Sequence, residues 1–162
     1  MFPFRIGYGY DVHKIQEGRA LFLGGIEIPF NGKGLLGHSD ADVLIHAICD
    51  AILGAGAYGD IGKHFPDNDQ TFKGIDSKIL LGKVFELISK DNYKIGNIDC
   101  TLCMQKPKIA SHIEKMVKVL SEILKIEENQ ISIKATTKEE LGFVGREEGA
   151  EAHAVALIYK EI

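Results

Sequence analysis

Residues 76–136, DSKILLGKVFELISKDNYKIGNIDCTLCMQKPKIASHIEKMVKVLSEILKIEENQISIKAT, switch twice between helical and strand periodicity. Asp76 to Lys90 is amphipathic at a spacing of three to four residues, with Asp76 as an N-cap. Ile95 to Gln105 reads as a strand. Ser111 to Lys125 is helical again, and Ser111 and Glu114 have capping-box spacing. Ile131 to Thr136 is a second strand and Ala150 to Tyr159 a third. Helix crossovers between strands imply a sheet with helices on one face. The expected fold is therefore α/β (α+β): a two-layer sandwich with a mixed sheet, in a ferredoxin-like arrangement plus a β-hairpin.

Upstream, Phe4 to Asp11 reads as a strand containing two glycines. Ala20 to Leu23 and Ile26 to Ile28 flank Gly24-Gly25, a hairpin signal. Asn31-Gly32 is a further turn. Ser39 to about Gly54 reads as a helix with Val43, Leu44, Ala47, Ile48, Ala51 and Ile52 on one side. Ala55 to about Gly74 is rich in Gly, Asp and Pro and reads as a long functional loop. No repeat interrupts the chain, and 162 residues is the size of one domain, so residues 1–162 are expected to share one core.

The formal net charge of -4 argues against a nucleic-acid partner, which favours a basic face. Only Lys106 and Lys108 cluster. The apolar runs Val43-Leu44-Ile45 and Ile79-Leu80-Leu81 are far too short to cross a bilayer, so no membrane partner is expected. Met1-Phe2-Pro3-Phe4-Arg5 lacks the pattern of a secretory signal. The expected location is the cytoplasm, or a plastid-type organelle if a transit peptide has been removed. Three cysteines suggest reduced thiols rather than a disulfide framework. Cys100 and Cys103 sit three apart on a strand, so they face opposite ways and read as packing residues.

Asp11-Val12-His13 ends the first strand, and residues two apart on a strand share a face. One more ligand would complete a three-ligand site, and His46 is the best candidate. It belongs to a polar helix stripe of Ser39, Asp42, His46 and Asp50. Two histidines and a carboxylate suit zinc, and three protein ligands leave a catalytic position open. From spacing alone, a turn-capping Asp11 and a satisfied, partly buried His46 fit as well. His38-Ser39-Asp40-Ala41-Asp42 stands at a helix start, where N–H groups favour an anion or a capping box forms. Asp60-Ile61-Gly62 and Phe65-Pro66-Asp67-Asn68-Asp69 lie in the long loop, as turn formers or as a pocket wall. Thr136-Thr137-Lys138-Glu139 follows a strand. It reads either as a capping box with Thr136 as cap or as a phosphate and metal contact. Gly7-Tyr8-Gly9 lacks the rest of a dinucleotide fingerprint, and Ala57 to His64 departs from a P-loop at both ends.

With these pieces in place, the whole chain resembles the 2-C-methyl-D-erythritol 2,4-cyclodiphosphate synthase family of the non-mevalonate isoprenoid pathway. The matching motifs are Gly-Tyr-Asp-Val-His at 9–13, Leu-Gly-Gly at 23–25, Gly-His-Ser-Asp-Ala-Asp at 37–42 and His46-Ala47. Gly-Asp-Ile-Gly at 59–62, Phe-Pro-Asp at 65–67, Gln-Lys-Pro-Lys at 105–108, Lys-Ala-Thr-Thr at 134–137 and Gly-Phe-Val-Gly-Arg at 142–146 follow in order. The resemblance implies ring closure of 4-diphosphocytidyl-2-C-methyl-D-erythritol 2-phosphate with release of CMP. It implies Asp11, His13 and His46 as zinc ligands, and Glu139 as the ligand of a second ion, Mg or Mn, bridging the substrate diphosphate. His38 and Thr137 are implied as transition-state stabilisers, with Ser39 at the methylerythritol phosphate end. Asp60, Ile61 and Gly62 fall in the ribose-binding stretch. Phe65, Pro66, Asp67, Asn68 and Asp69 match the wall over the substrate. Met104, Gln105, Lys106, Pro107, Lys108, Ile109 and Ala110 match the loop that holds cytosine. Thr136, Lys138, Phe143 and Arg146 also match binding positions. A homotrimer with intersubunit active sites is implied, with an isoprenoid diphosphate on the three-fold axis near Arg146. Glu147 to His153 is the stretch that departs from expectation.

His64 is expected near the pocket, His112 on a helix surface and His153 on a strand at a surface or subunit contact. Two other functions share the motifs: a metal-dependent phosphohydrolase using water, and a trimeric binding module without catalysis.

Overall fold

The structure is a computed structural model and describes residues 3–66 and 68–161. Met1, Phe2, Asp67 and Ile162 lie outside the described residues, so the N-terminal reading and the loop-wall assignment of Asp67 are not addressed by it. Among the described residues seven strands form: β1 (Phe4–Glu17), β2 (Leu21–Leu23), β3 (Ile26–Ile28), β4 (Lys33–Leu36), β5 (Lys94–Cys103), β6 (Ile131–Thr136) and β7 (Gly149–Tyr159). The main sheet runs β4-β1-β7-β5-β6, and β2-β3 is a separate hairpin. All ladders of the main sheet are antiparallel except β5–β6, which is parallel across a helical crossover. The helices are α1 (Val43–Gly56), α2 (Ile61–His64), α3 (Ser77–Lys90), α4 (Ile113–Leu124) and α5 (Gly142–Gly145). The two-layer sandwich, the mixed sheet and the added hairpin are those expected.

Helix α1 is the centre of the core, and ten of its residues from Val43 to Ala55 are buried. It lies on β1 and β7, where the facing side chains are minimal: Gly7 and Gly9 on β1, and Ala150, Ala152, Ala154 and Ala156 on β7. A Cβ at Gly7 would stand 1.9 Å from the Ala51 carbonyl oxygen, and one at Gly9 would stand 1.9 Å from that of Ala47. Gly7-Tyr8-Gly9 is thus a seat for the helix backbone, which explains why the rest of a nucleotide fingerprint is missing.

Three local expectations are corrected. Helix α1 begins at Val43, not Ser39. Ala41 adopts a left-handed backbone at φ 60, and Asp42 becomes the N-cap, accepting from the Ile45 N–H. Asp42 therefore leaves the polar stripe. It is fully buried and also accepts from Gly24 N (3.0 Å) and Gly25 N (2.7 Å), tying the hairpin turn to the helix start. The Ser111–Glu114 capping box does not form, because the chain enters α4 through a 3₁₀ turn at Ala110–His112 with Ser111 inside it. The Thr136–Glu139 box is absent as well. Glu139 and Glu140 have φ of 51 and 62, and α5 starts only at Gly142. The loop from Ala55 to Gly74 contains α2 and a 3₁₀ turn, Gln70–Phe72. Cys100 and Cys103 lie on one strand, facing opposite layers and both buried.

Candidate metal centre

Alternation along β1 turns Asp11 and His13 toward the helices, while Tyr8, Tyr10 and Val12 face the other way and are exposed. His46 comes to them from the first turns of α1. Asp11 Oδ2 lies 2.9 Å from His13 Nε2 and 2.9 Å from His46 Nδ1, and the two imidazole nitrogens are 3.0 Å apart. A tetrahedral ion with bonds of about 2.0–2.1 Å holds its ligand atoms about 3.3 Å apart, so these donors need open by only about 0.4 Å.

The second nitrogen of His46 strengthens the fit. His46 Nε2 lies 2.9 Å from Ser77 Oγ and 3.1 Å from Ser39 Oγ. Ser77 Oγ donates its own proton to Asp40, which also accepts from Ser77 N at 2.9 Å. A hydroxyl whose hydrogen is committed can only accept, so His46 carries a proton on Nε2. Its Nδ1 lone pair then faces the Asp11 oxygen, an unfavourable meeting unless a cation stands between them or Nδ1 is also protonated. The residues present fit a metal ion. Burial opposes ionisation of Asp11, but hydrogen bonds from His13 and His46 outweigh it and hold the carboxyl well below the usual range. Burial likewise opposes charge on His46, yet Asp11 beside it raises the imidazole above its ordinary value.

A cleft of about 290 Å³ opens beside this group. His38, Ser39, Ile61, Gly62 and Phe65 line it together with Asp11, His13, His46 and Asp50. His38 Nε2 is buried and has no hydrogen-bond partner, so it is free to meet a ligand. Asp60 caps α2 through the Lys63 N–H (2.9 Å), and Asp50 accepts from Ile61 N (2.7 Å), which fixes this wall. Phe65 packs edge-on against Phe72, Pro66 is half-buried, Asn68 is exposed and Asp69 caps the 3₁₀ turn.

The remaining sequence candidates gather elsewhere. Met104 and Ile109 are buried, anchoring the loop in which Gln105, Lys106, Pro107, Lys108 and Ala110 are wholly or partly exposed. Gln105 Oε1 accepts from Lys138 N (3.3 Å), which joins this loop to Thr136, Thr137 and Glu139 at the end of β6. Thr137 Oγ1 donates to Glu139 Oε1 (2.9 Å). Arg146 forms a two-bond pair with Glu148 (2.9 and 3.2 Å), and Phe143 packs by Gly149. None of this second group lines the cleft. Strand β6 lies three places from β1, about 14 Å at the usual strand spacing.

Sequence reasoning missed Ser77, and although it named Asp40 and Asp50 it gave them no part in orienting Ser77 and the loop at Ile61. It also missed a cluster on the opposite sheet face. Glu151, buried there, accepts from Tyr10 Oη (3.1 Å) and pairs with Lys138 Nζ (2.7 Å). His64 holds the Tyr58 carbonyl oxygen (3.0 Å), His112 stands at the N-cap position of α4 without a side-chain cap bond, and His153 is a strand residue bonded to Tyr8 Oη (2.8 Å).

Fold and site define a two-layer α+β protein with an Asp-His-His group, able to hold a divalent metal, beside a cleft. The chain belongs to the YgbB family, whose model matches residues 4–159. It is 60% identical over 154 residues to the 2-C-methyl-D-erythritol 2,4-cyclodiphosphate synthase of Clostridium botulinum, covering 95% of this chain and 99% of that one. Identity to the synthase of Porphyromonas gingivalis is 58% over 156 residues, 96% of each chain. The IspF of Plasmodium falciparum, solved as a CDP complex, superimposes with a TM-score of 0.86 at 40% identity, covering 100% of this chain and 99% of that one. The bifunctional IspDF from Campylobacter jejuni matches with a TM-score of 0.94 and 38% identity, over 99% of this chain and 43% of that longer one. No helix among the described residues is long and apolar enough to cross a membrane.

Proposed function

We propose that this protein converts 4-diphosphocytidyl-2-C-methyl-D-erythritol 2-phosphate to 2-C-methyl-D-erythritol 2,4-cyclodiphosphate and CMP, a step of isoprenoid precursor synthesis in the cytoplasm. It would be classed as a phosphorus–oxygen lyase. An oxygen of the 2-phosphate forms a bond to the β-phosphorus. The bond from that phosphorus to the bridging oxygen breaks, and CMP leaves with the electron pair. No protein nucleophile is required, so the chain acts by positioning and by stabilising charge. The observation that carries this reading is the convergence of Asp11, His13 and His46 beside a cleft, in a chain about 60% identical to named synthases.

Asp11, His13 and His46 would hold zinc, which would supply Lewis acidity to the phosphoryl group, and Glu139 would hold Mg or Mn, which would offset the diphosphate charge. His38, whose buried Nε2 has no partner, donates a hydrogen bond to the phosphoryl oxygens, with Ser39 beside it. Thr137 does the same from the other half of the site. Asp60, Ile61 and Gly62 hold the ribose, Phe65 to Asp69 cover the substrate, and Met104 to Ala110 with Lys108 hold cytosine. Thr136, Lys138, Phe143 and Arg146 complete the contacts. The CDP complex of a structural neighbour supports a cytidine diphosphate ligand. The separation of the two halves within one chain supports a site whose second half comes from a neighbouring subunit, as in the homotrimer that the family resemblance implies. An isoprenoid diphosphate would be a further ligand, on the three-fold axis near Arg146.

Phosphorus NMR tests the reading: purified protein, substrate, zinc and magnesium should give two coupled signals of a cyclic diphosphate together with CMP. Open-chain phosphates carrying oxygen-18 from labelled water would instead make the protein a phosphohydrolase. No turnover by a metal-loaded, folded trimer would make it a binding module.

A further inference from the structure

We propose that Cys103, Glu151 and His153 form a second divalent-cation site, for an ion of the zinc class, on the sheet face opposite the candidate metal centre. Strand register creates it. Cys103 on β5 pairs directly with Glu151 on β7, and Glu151 and His153 are two residues apart on the same face. A ligand atom from each lies within 4.8 Å of the other two, so a contraction of at most about 1.5 Å brings them to the spacing of a tetrahedral ion. His153, at 36% side-chain exposure, has room to make that movement by side-chain rotation.

The surroundings aim the ligands. Tyr8 Oη holds His153 Nδ1 at 2.8 Å, leaving Nε2 toward Glu151 at 4.0 Å. Tyr10 Oη donates to Glu151 Oε2, leaving Oε1 toward the centre. Hydrogen bonds on the outer atoms of ligands are what orients a metal site. The position is already cationic: Lys138 Nζ stands 2.7 Å from Glu151 Oε1, on a long side chain that can move aside. Binding replaces that ion pair. A metal–sulfur bond forms, the S–H bond breaks, and its proton leaves to solvent with no change of oxidation state. A thiolate with imidazole and carboxylate selects zinc or cobalt over magnesium.

The thiolate makes the site separately observable, because Asp11, His13 and His46 include no sulfur. Chelator-stripped full-length protein is titrated with cobalt(II) and read by near-ultraviolet thiolate-to-cobalt charge transfer. The band is expected in the wild type and in Asp11→Asn, and is expected to persist in Cys100→Ser, whose thiol faces the other layer. It should vanish in Cys103→Ser, with folding checked by circular dichroism. In His153→Ala the apparent affinity should fall at least about tenfold. Absence of the band in folded wild type, or its persistence in Cys103→Ser, overturns the assignment. An unchanged affinity in His153→Ala removes the histidine from the ligand set and overturns it as stated.

Discussion

Replacing Gly9 by alanine adds a single methyl group, and the structure makes it severe. That carbon would sit 1.9 Å from the Ala47 carbonyl oxygen and 2.7 Å from Ala51 N. Both are backbone atoms of α1, so no side chain can rotate away. Restoring an ordinary contact of 3.4 Å requires α1 to retreat by about 1.5 Å. Overpacking of a core commonly costs 1–3 kcal/mol, and a rigid helix backbone puts this change at about 3 kcal/mol or more. With a urea m-value of about 2 kcal/mol per molar, the unfolding midpoint should fall by about 1.5 M. Helix α1 carries His46, while Asp11 and His13 stay on β1 with donors 2.9 Å away. Metal sites tolerate about 0.2 Å, so zinc affinity should fall by more than tenfold in the surviving folded protein. Urea unfolding and zinc competition titration check both. A midpoint within error of the wild type, with zinc affinity unchanged, would refute the reasoning that Gly9 seats the helix and aligns the ligands.

Asp42→Ala leaves three backbone N–H groups, of Gly24, Gly25 and Ile45, without their acceptor, and should cost about 2–4 kcal/mol in urea unfolding. Ser77→Ala removes the acceptor beside His46 Nε2 and should lower zinc affinity about 10–100-fold, seen by competition titration with the fold intact. Burial and the nearby Asp60 and Asp11 charges raise the Asp50 carboxyl against the lowering by the Ile61 N–H. A carboxyl raised on folding penalises the folded state once it ionises. The penalty is absent below the unfolded value near pH 4 and grows as pH rises through the folded one. In metal-stripped protein, Asp50→Asn should therefore be more stable than wild type at pH 7, with the gap closing toward pH 4 in thermal melts.

Much of this was legible from the chain. Asp11, His13 and His46 were readable because strand alternation and ordered motifs carry through to three dimensions. The hairpin around Gly24-Gly25 and the Asp76 cap were readable because turn and cap chemistry are local. Ser77, which fixes the protonation of His46, carried no signal: the contact crosses 31 residues and depends on how α3 docks on α1. Asp42 was read into the polar stripe of the helix, since its partners Gly24 and Gly25 are distant in sequence and Ala41 turns left-handed just before it. The split of the candidate site into two halves is likewise a property of strand order, which periodicity does not encode.

The most direct test of the central claim strips the protein of metal with a chelator and follows cyclic diphosphate formation as zinc is returned in the presence of magnesium. The account predicts that stripping abolishes product formation. About one zinc ion per chain at the Asp11, His13 and His46 centre should restore it in the wild type, while folded His46→Ala neither retains that ion nor recovers. Full turnover by stripped protein, or by His46→Ala, would contradict it.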